Sequence, residues 1–136
     1  MTFIDALKIL AGDYGGLTKV VGRPILGVTD DEDGELLRFR FLDGTEQTYR
    51  TEGDCCSYTW IEHLTVPEEI AGAVVTEVRE AGPVDTKDAT RRGQPIDYPD
   101  HIVVYHTSFV TDRGEIIVEY RNDSNGYYGG LLMATS

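Results

Sequence analysis

Two stretches of the chain hold the residue types that could do chemistry. Residues 53–60 contain both cysteines and the only tryptophan. Residues 121–130 combine an arginine at a predicted strand end with short polar side chains, two tyrosines and three glycines. Glycine lets backbone approach a ligand closely, tyrosine offers a ring face and a hydroxyl, and arginine suits phosphate. The second stretch therefore predicts a pocket for a small anionic and aromatic ligand such as a nucleotide; the alternative is a tight loop whose tyrosines pack on the core.

The cysteines allow two further kinds of site. Cys55 or Cys56, together with Asp54 and either His63 or His106, could form a nucleophile with its base. The cysteines and the three histidines could also ligate a metal, but zinc ligands usually come in pairs two to four residues apart, and adjacent residues of a strand point to opposite faces. We therefore expect no metal and no cofactor, and thiols that pack in the core.

Other enzyme signatures are absent from the sequence. It has no phosphate loop of Walker type, no dinucleotide fingerprint after a predicted strand, and no Gly-x-Ser-x-Gly elbow. These observations favour a protein that is not an enzyme, and a cysteine-dependent enzyme stays as an alternative.

The charge balance excludes some partners. The chain has 24 acidic and 12 basic residues, a net charge of −12. A protein that binds nucleic acid needs a basic footprint, and anionic membranes repel an acidic surface, so we expect neither partner. The acidic surface serves solubility, or it is presented to a basic partner, which predicts a protein-binding inhibitor or nucleic-acid mimic as a second functional alternative.

The start of the chain and its hydropathy bear on location. No basic region precedes the first apolar residues, and no apolar run approaches the roughly 20 residues of a membrane span. We expect a cytoplasmic protein with reduced thiols.

The length of 136 residues predicts a single domain, 1–136. Residues 2–12 are typical of a short amphipathic helix, with Thr2 and Asp5 as a capping pair and Gly12 at its end, and residues 13–16 follow as a loop. A single helical turn is expected near residue 67, because Pro67 is followed by two acidic residues.

From Leu17 onward the hydrophobic pattern changes to the alternation typical of strands. The Asp43-Gly44 pair is the strongest hairpin signal. Strands are predicted at residues 17–21, 25–29, 36–42, 45–51, 56–64, 73–80, 101–111, 116–121 and 131–134. The fold class is α+β, a mostly antiparallel meander with the two helical pieces.

Residues 81–100 interrupt this pattern with repeated glycine and proline. We expect an irregular insertion, and a structureless segment of about 20 residues is either functional or mobile. It carries Lys87, Arg91 and Arg92, a local positive charge on an acidic protein. A solvated loop is the alternative.

The two chemical stretches also carry a resemblance. The pattern Gly-Asp-Cys-Cys-Ser-x-x-Trp, followed near the end by Tyr-Arg-Asn-x-Ser-Asn-Gly-Tyr-Tyr-Gly-Gly, resembles a family of small uncharacterised proteins from phages and bacteria. The likeness runs from about residue 25 to residue 131. More distantly, both motifs are similar to phage anti-Thoeris proteins, oligomeric sponges that sequester cyclic ADP-ribose-type signals without cleaving them.

The resemblance implies a non-enzymatic, phage-type accessory protein that sequesters a nucleotide-derived signal as a homo-oligomer, in the host cytoplasm if it is phage-encoded. An exposed edge strand in such a sheet also favours self-pairing. The ligand contacts expected from the resemblance and from the composition of residues 121–130 are Tyr105, Phe109, Arg121, Asn125, Tyr127 and Tyr128. Asp54, Cys55, Cys56 and Trp60 are expected to support that site from beneath.

Overall fold

The computed structural model describes residues 15–54, 56–126 and 129–135. A 3-10 helix, Leu17–Val20, precedes ten strands. The strands are β1 (Ile25–Asp30), β2 (Leu36–Phe41), β3 (Glu46–Gly53), β4 (Tyr58–Thr65), β5 (Val75–Thr86), β6 (Thr90–Arg91), β7 (Gln94–Pro95), β8 (His101–Thr111), β9 (Gly114–Ser124) and β10 (Gly130–Ala134). The helix predicted over residues 2–12 lies outside the described residues.

The strands form two four-stranded sheets and a small ribbon. The first sheet has the order β1-β2-β3-β10, the second has the order β4-β9-β8-β5, and β6 pairs with β7. Every pairing between these strands is antiparallel. The prediction of a mostly antiparallel β protein is confirmed, whereas the described part of the chain contains no α-helix. No helix in that part is long and apolar enough to cross a membrane.

The strand order differs from the predicted meander, because several neighbouring strands are not consecutive in the chain. Strands β1 to β3 and the pair β8–β9 follow the chain, but β10 returns to β3, β4 pairs with β9, and β5 pairs with β8. These long-range pairings were not predicted, because alternation within a strand shows which face is buried but not which strand lies beside it.

The core lies between the two sheets. Phe39 of the first sheet meets Phe109 of the second edge to face, with ring centroids 4.9 Å apart. Tyr105 and Tyr120 stack on neighbouring strands, also at 4.9 Å. All four rings are buried in one hydrophobic cluster. The sheets are therefore joined by aromatic contacts, which prefer these offset and edge geometries.

Two short segments differ from prediction. Leu17–Val20 forms a 3-10 helix instead of a strand, and only Val21 after it bridges to Val75. Residues 66–74 form turns rather than a helical turn near residue 67. The carbonyls of Glu69 and Ala71 accept hydrogen bonds from the Arg113 guanidinium, so a tertiary donor satisfies them where a helix would use its own backbone.

The prediction of an irregular insertion over residues 81–100 was wrong for residues 81–86. Strand β5 continues through Gly82 and Pro83 to Thr86, with a register shift between Ala81 and Val84. Proline has no N–H to give to the ladder, and a bulge is where a strand tolerates it. Residues 87–100 then leave the sheet and carry the β6–β7 ribbon; we call this segment the strap.

Candidate functional site

The strap crosses the outer face of the second sheet, and Arg92 fastens its tip. Arg92 Nη1 donates to Asp30 Oδ2 at 2.7 Å and to the Ile61 carbonyl at 3.1 Å, and Nη2 donates to the Asp31 carbonyl at 3.2 Å. Asp30 ends β1 of the first sheet, and Ile61 lies in β4 of the second. One guanidinium thus joins the strap to both sheets, and we call this set of contacts the latch.

A buried carboxylate, Glu62, lies beneath the strap tip. Its side chain is 3% exposed. Its Oε1 accepts hydrogen bonds from Trp60 Nε1 at 2.9 Å and from the Arg92 backbone N–H at 2.7 Å. The register of β4 against β9 shifts between Ile61 and His63. Glu62 is the extra residue of a β-bulge, and it therefore departs from the regular alternation of faces along β4.

Arg121 anchors the start of the strap. Its Nη1 donates to Asp88 Oδ2 at 3.1 Å, while Nε and Nη2 both donate to Glu119 Oε2 at 3.1 and 2.9 Å. The residue is 7% exposed. Burial acts to lower the pKa of Arg121, but the hydrogen bonds to Asp88 and Glu119 outweigh it and raise the pKa above its ordinary value. Arg121 is therefore a permanent cation committed to two carboxylates.

Asp88 is the strap's side of this contact. The Thr90 hydroxyl, which donates to Asp88 Oδ1 at 2.9 Å, is the largest cause of a pKa below the ordinary value of that carboxyl, and Arg121 adds to it. Asp88 thus stays ionised and keeps its partner.

An aromatic stack supports the strap beside the latch. The Arg91 guanidinium carbon lies 4.3 Å from the centre of the Tyr58 ring, and Tyr58 stacks on Trp60 with centroids 5.7 Å apart. The Tyr58 hydroxyl donates to Glu35 Oε1 at 3.1 Å. Burial raises the pKa of Tyr58, with Arg91 opposing and Glu35 adding to the shift. Arg91 and Arg92 are thus contacts to the sheets rather than a free positive patch.

A cavity of about 490 Å³ lies where the strap leaves β5 and returns to β8; we call it the base cavity. Its polar lining comes from Lys87, His101, Thr86 and the carboxylates of Asp85 and Asp100, and its apolar lining from Ala89, Pro99 and Ile102. His101 Nε2 and Asp85 Oδ1 are 2.9 Å apart.

The turn at residues 125–126 borders this cavity. A Cβ atom added to Gly126 would lie 3.6 Å from the His101 ring. The Asp100 backbone N–H donates to Asp123 Oδ1 at 3.0 Å, which holds the end of the strap to β9. Part of the predicted ligand loop therefore lies beside a cavity that the sequence did not reveal.

The structure separates the predicted ligand residues into three places. Arg121 lies under the strap, and Asn125 is exposed in the turn by the base cavity. Tyr105 and Phe109 are buried between the sheets, and the Tyr105 hydroxyl accepts a hydrogen bond from the Gly130 N–H at 3.3 Å. Tyr105 pairs with Tyr120, so strand alternation turns it away from Arg121. Tyr127 and Tyr128 lie outside the described residues.

The two stretches singled out in the sequence meet in space. Asp54 Oδ2 accepts from the Gly129 N–H at 3.1 Å, and the Asp54 N–H donates to the Gly129 carbonyl at 3.1 Å. Trp60 pairs across the ladder with Arg121. Residues 53–60 thus hold both ends of the 121–130 segment, as a supporting role requires.

The cysteine prediction needs a correction. Cys56 is exposed, not packed in the core, and its φ of 67° is left-handed, because it lies in the turn that precedes β4. Cys55 lies outside the described residues. His63 follows Cys56 by seven residues along an extended strand, a separation of roughly 20 Å. Among the described residues, no group of three histidine, cysteine or acidic side chains is placed to hold a metal ion.

No sequence pattern predicted a role for Glu62, and His101 was suggested only as a possible metal ligand. Glu62 could have been noticed as a lone acidic residue between Ile61 and His63 in an otherwise strand-like run. His101 could have been noticed because it directly follows the predicted insertion. Neither signal identifies a partner, because both partners come from distant segments.

The comparison with family models gives one match. The model described as "Domain of unknown function (DUF7448)" matches residues 18–134. The chain belongs to this family. The matched span includes both sheets, the strap and the base cavity. No curated protein and no solved structure matched the chain.

Proposed function

We propose that the protein is a non-enzymatic binding protein that sequesters a small nucleotide-derived molecule, and that the base cavity is its ligand site. The observation that carries this proposal is the meeting of Lys87 and His101 in one cavity of a protein whose net charge is −12. A volume of about 490 Å³ is in the range of small-molecule sites.

The lining suits the parts of a nucleotide. The Lys87 ammonium offers donors to phosphate oxygens, and His101, whose Nε2 is paired with Asp85, offers its other ring nitrogen. Ala89, Pro99 and Ile102 supply apolar surface for a base or ribose, and Asp85 and Thr86 offer hydrogen bonds to hydroxyl groups.

The proposal gives the predicted residues revised roles. Asn125 precedes Gly126, which lies beside His101, and we propose it as a ligand contact from the turn. Arg121 holds Asp88, the residue that follows Lys87, and so acts as a positioning residue rather than a phosphate ligand. The likeness of both motifs to anti-Thoeris sponges supports sequestration of a cyclic ADP-ribose-type signal over cleavage.

We place this binding protein in a homo-oligomer. Strand β5 spans twelve residues at an edge of the second sheet, and most of its residues are exposed. A long exposed edge offers backbone groups to a second copy.

Calorimetric titration with cyclic ADP-ribose isomers and cyclic oligonucleotides tests the ligand proposal. We expect saturable heat with at least one of them, and recovery of that molecule unchanged after the protein is denatured.

Lys87→Ala and His101→Ala should each weaken binding by about tenfold, the loss of one charge-assisted contact. Lys19→Ala is the matched control, since Lys19 lies in the 3-10 helix and should leave the affinity unchanged. No heat with any ligand, or cleaved ligand, would overturn the proposal.

A further inference from the structure

A second and larger opening lies at the other end of the strap. It has a volume of about 820 Å³ and runs between the end of β1 and the far half of β4, with Arg92 and Gly93 at its edge. We call it the tip groove. None of the residues that line it lines the base cavity, so what it binds is independent of the proposed function.

Glu62 supplies the charge in this groove. Both hydrogen bonds to its carboxylate go to Oε1, from Trp60 and from the Arg92 backbone. Its Oε2 lies 4.0 Å from His63 Nε2, too far for a hydrogen bond. Among the described residues, Oε2 therefore keeps its acceptor capacity although the side chain is almost completely buried. Oε2 is not one of the buried side-chain atoms left without a partner, so it keeps contact with the groove, where a donor on a ligand can reach it.

The neighbouring charges select a cation as that donor. The Arg92 guanidinium is already committed to Asp30 and to two backbone carbonyls, so it neutralises Asp30 rather than Glu62. Arg121 also interacts electrostatically with Glu62, but its hydrogen bonds go to Asp88 and Glu119. Neither arginine side chain therefore donates to Glu62, and the net charge of −12 attracts cations to the whole surface.

The apolar residues that line the groove indicate the chemistry of the part of the ligand next to the cation. Val28 is buried, and Leu64 and Val66 pack against the core while still lining the groove. This apolar strip beside one carboxylate matches an ammonium carried on an alkyl chain, because the chain buries apolar surface while the ammonium donates to Oε2.

We propose that the tip groove binds an alkylammonium group, with its nitrogen on Glu62 Oε2 and its chain along Val28, Leu64 and Val66. The group is either a free polyamine or the side chain of a lysine on a partner protein.

Trp60 provides a direct readout, because it is the only tryptophan and donates to the same carboxylate. Its fluorescence is followed during titration with butylamine, spermidine and N-acetyl-lysine amide, with butanol as the uncharged control. We expect a saturable emission change with the amines and none with butanol. Tighter binding of spermidine indicates a free polyamine, and tighter binding of the lysine derivative indicates a partner side chain.

Glu62→Gln tests the role of the carboxylate, since the amide oxygen can still accept from Trp60 and Arg92. We expect amine affinity to fall by about tenfold or more, the loss of a hydrogen bond to a charged group. The matched control is Glu77→Gln, which removes the same charge from an exposed pair with Arg79 and should leave the affinity unchanged. Lys87→Ala should also leave it unchanged, which separates this site from the base cavity.

Amine binding that survives Glu62→Gln, or an equal response to butanol, overturns the proposal. If Glu62→Gln alters the circular dichroism spectrum, amide chemical shifts of the unaltered protein decide instead. Shifts on amine addition must then centre on His63 and Leu64, and shifts elsewhere or none contradict the site.

Discussion

Asp88 is a strap residue whose titration reports on the contact between the strap and β9. The Thr90 hydroxyl and Arg121 hold its pKa below the ordinary value of 3.8. Because the pKa is lower in the folded than in the unfolded protein, this carboxyl stabilises the fold above pH 3.8, and the contribution is lost as the pH falls through the folded pKa. Thr90→Val removes the largest cause, so the pKa of Asp88 should rise toward 3.8. Carbon-detected NMR titration of the carboxyl measures it, and an unchanged pKa contradicts the assignment.

Two glycines with similar backbone angles predict different losses of stability. Gly34 and Gly44 have φ of 72° and 86°. A Cβ on Gly34 would lie 2.5 Å from the Ile61 carbonyl oxygen, whereas a Cβ on Gly44 would meet nothing within 4 Å. Gly44→Ala should lower the free energy of unfolding by about 1 kcal/mol from the left-handed conformation alone. Gly34→Ala should lower it by at least about 3 kcal/mol, because the β1–β2 turn must also move away from β4. Urea denaturation measures both, and equal losses would show that the two segments are not in close contact.

The latch is the contact that holds the strap as an element. Asp30→Asn removes the charge that pairs with Arg92, while the strap keeps its trypsin sites at Lys87, Arg91 and Arg92. We expect trypsin to cleave the strap about tenfold faster, since a partly buried charged hydrogen bond contributes about 1.5 kcal/mol or more.

Glu77→Gln is the control for the latch. It breaks an ion pair of similar length, but Glu77 is 52% exposed, and such surface pairs contribute little. Strap cleavage in this variant should match the unaltered protein. A cleavage rate that rises equally in both variants would mean that the strap is not held by Arg92.

Elements whose signal is local were predictable from the sequence. The Asp43-Gly44 pair identified the β2–β3 hairpin, and apolar alternation placed β8 at residues 101–111 as the structure has it. The strap could not be derived, because its contacts join residues about 30 to 60 positions apart, such as Arg121 with Asp88 and Arg92 with Asp30. The bulge at Glu62 depends on the register of β9, and alternation within β4 alone does not reveal it.

The candidate site was predictable only in part. Residues 121–130 pointed to the end of β9 beside the proposed site, where the turn at residue 126 meets His101. Tyr105 and Phe109 were grouped with Arg121, although they face the core. Only the pairing of Tyr105 with Tyr120 shows that Tyr105 faces away from Arg121, and the sequence of one strand does not reveal that pairing.

The whole molecule carries two openings at opposite ends of one strap, on a body that we propose to be oligomeric. Light scattering coupled to size exclusion should give a mass that is a multiple of the 15.1 kDa chain, because β5 presents a long exposed edge. A monomer mass at all concentrations would contradict the assembly but not the ligand site.

The central claim is that a nucleotide-derived molecule binds in the base cavity. The most direct measurement is an amide NMR titration of the full chain with the cyclic ADP-ribose isomer or cyclic oligonucleotide that gives heat. We predict saturable shifts that centre on Lys87, His101 and Gly126, with Gly93 and Leu64 of the tip groove unaffected. Shifts centred away from the base cavity, or no shifts with any of these ligands, would contradict it.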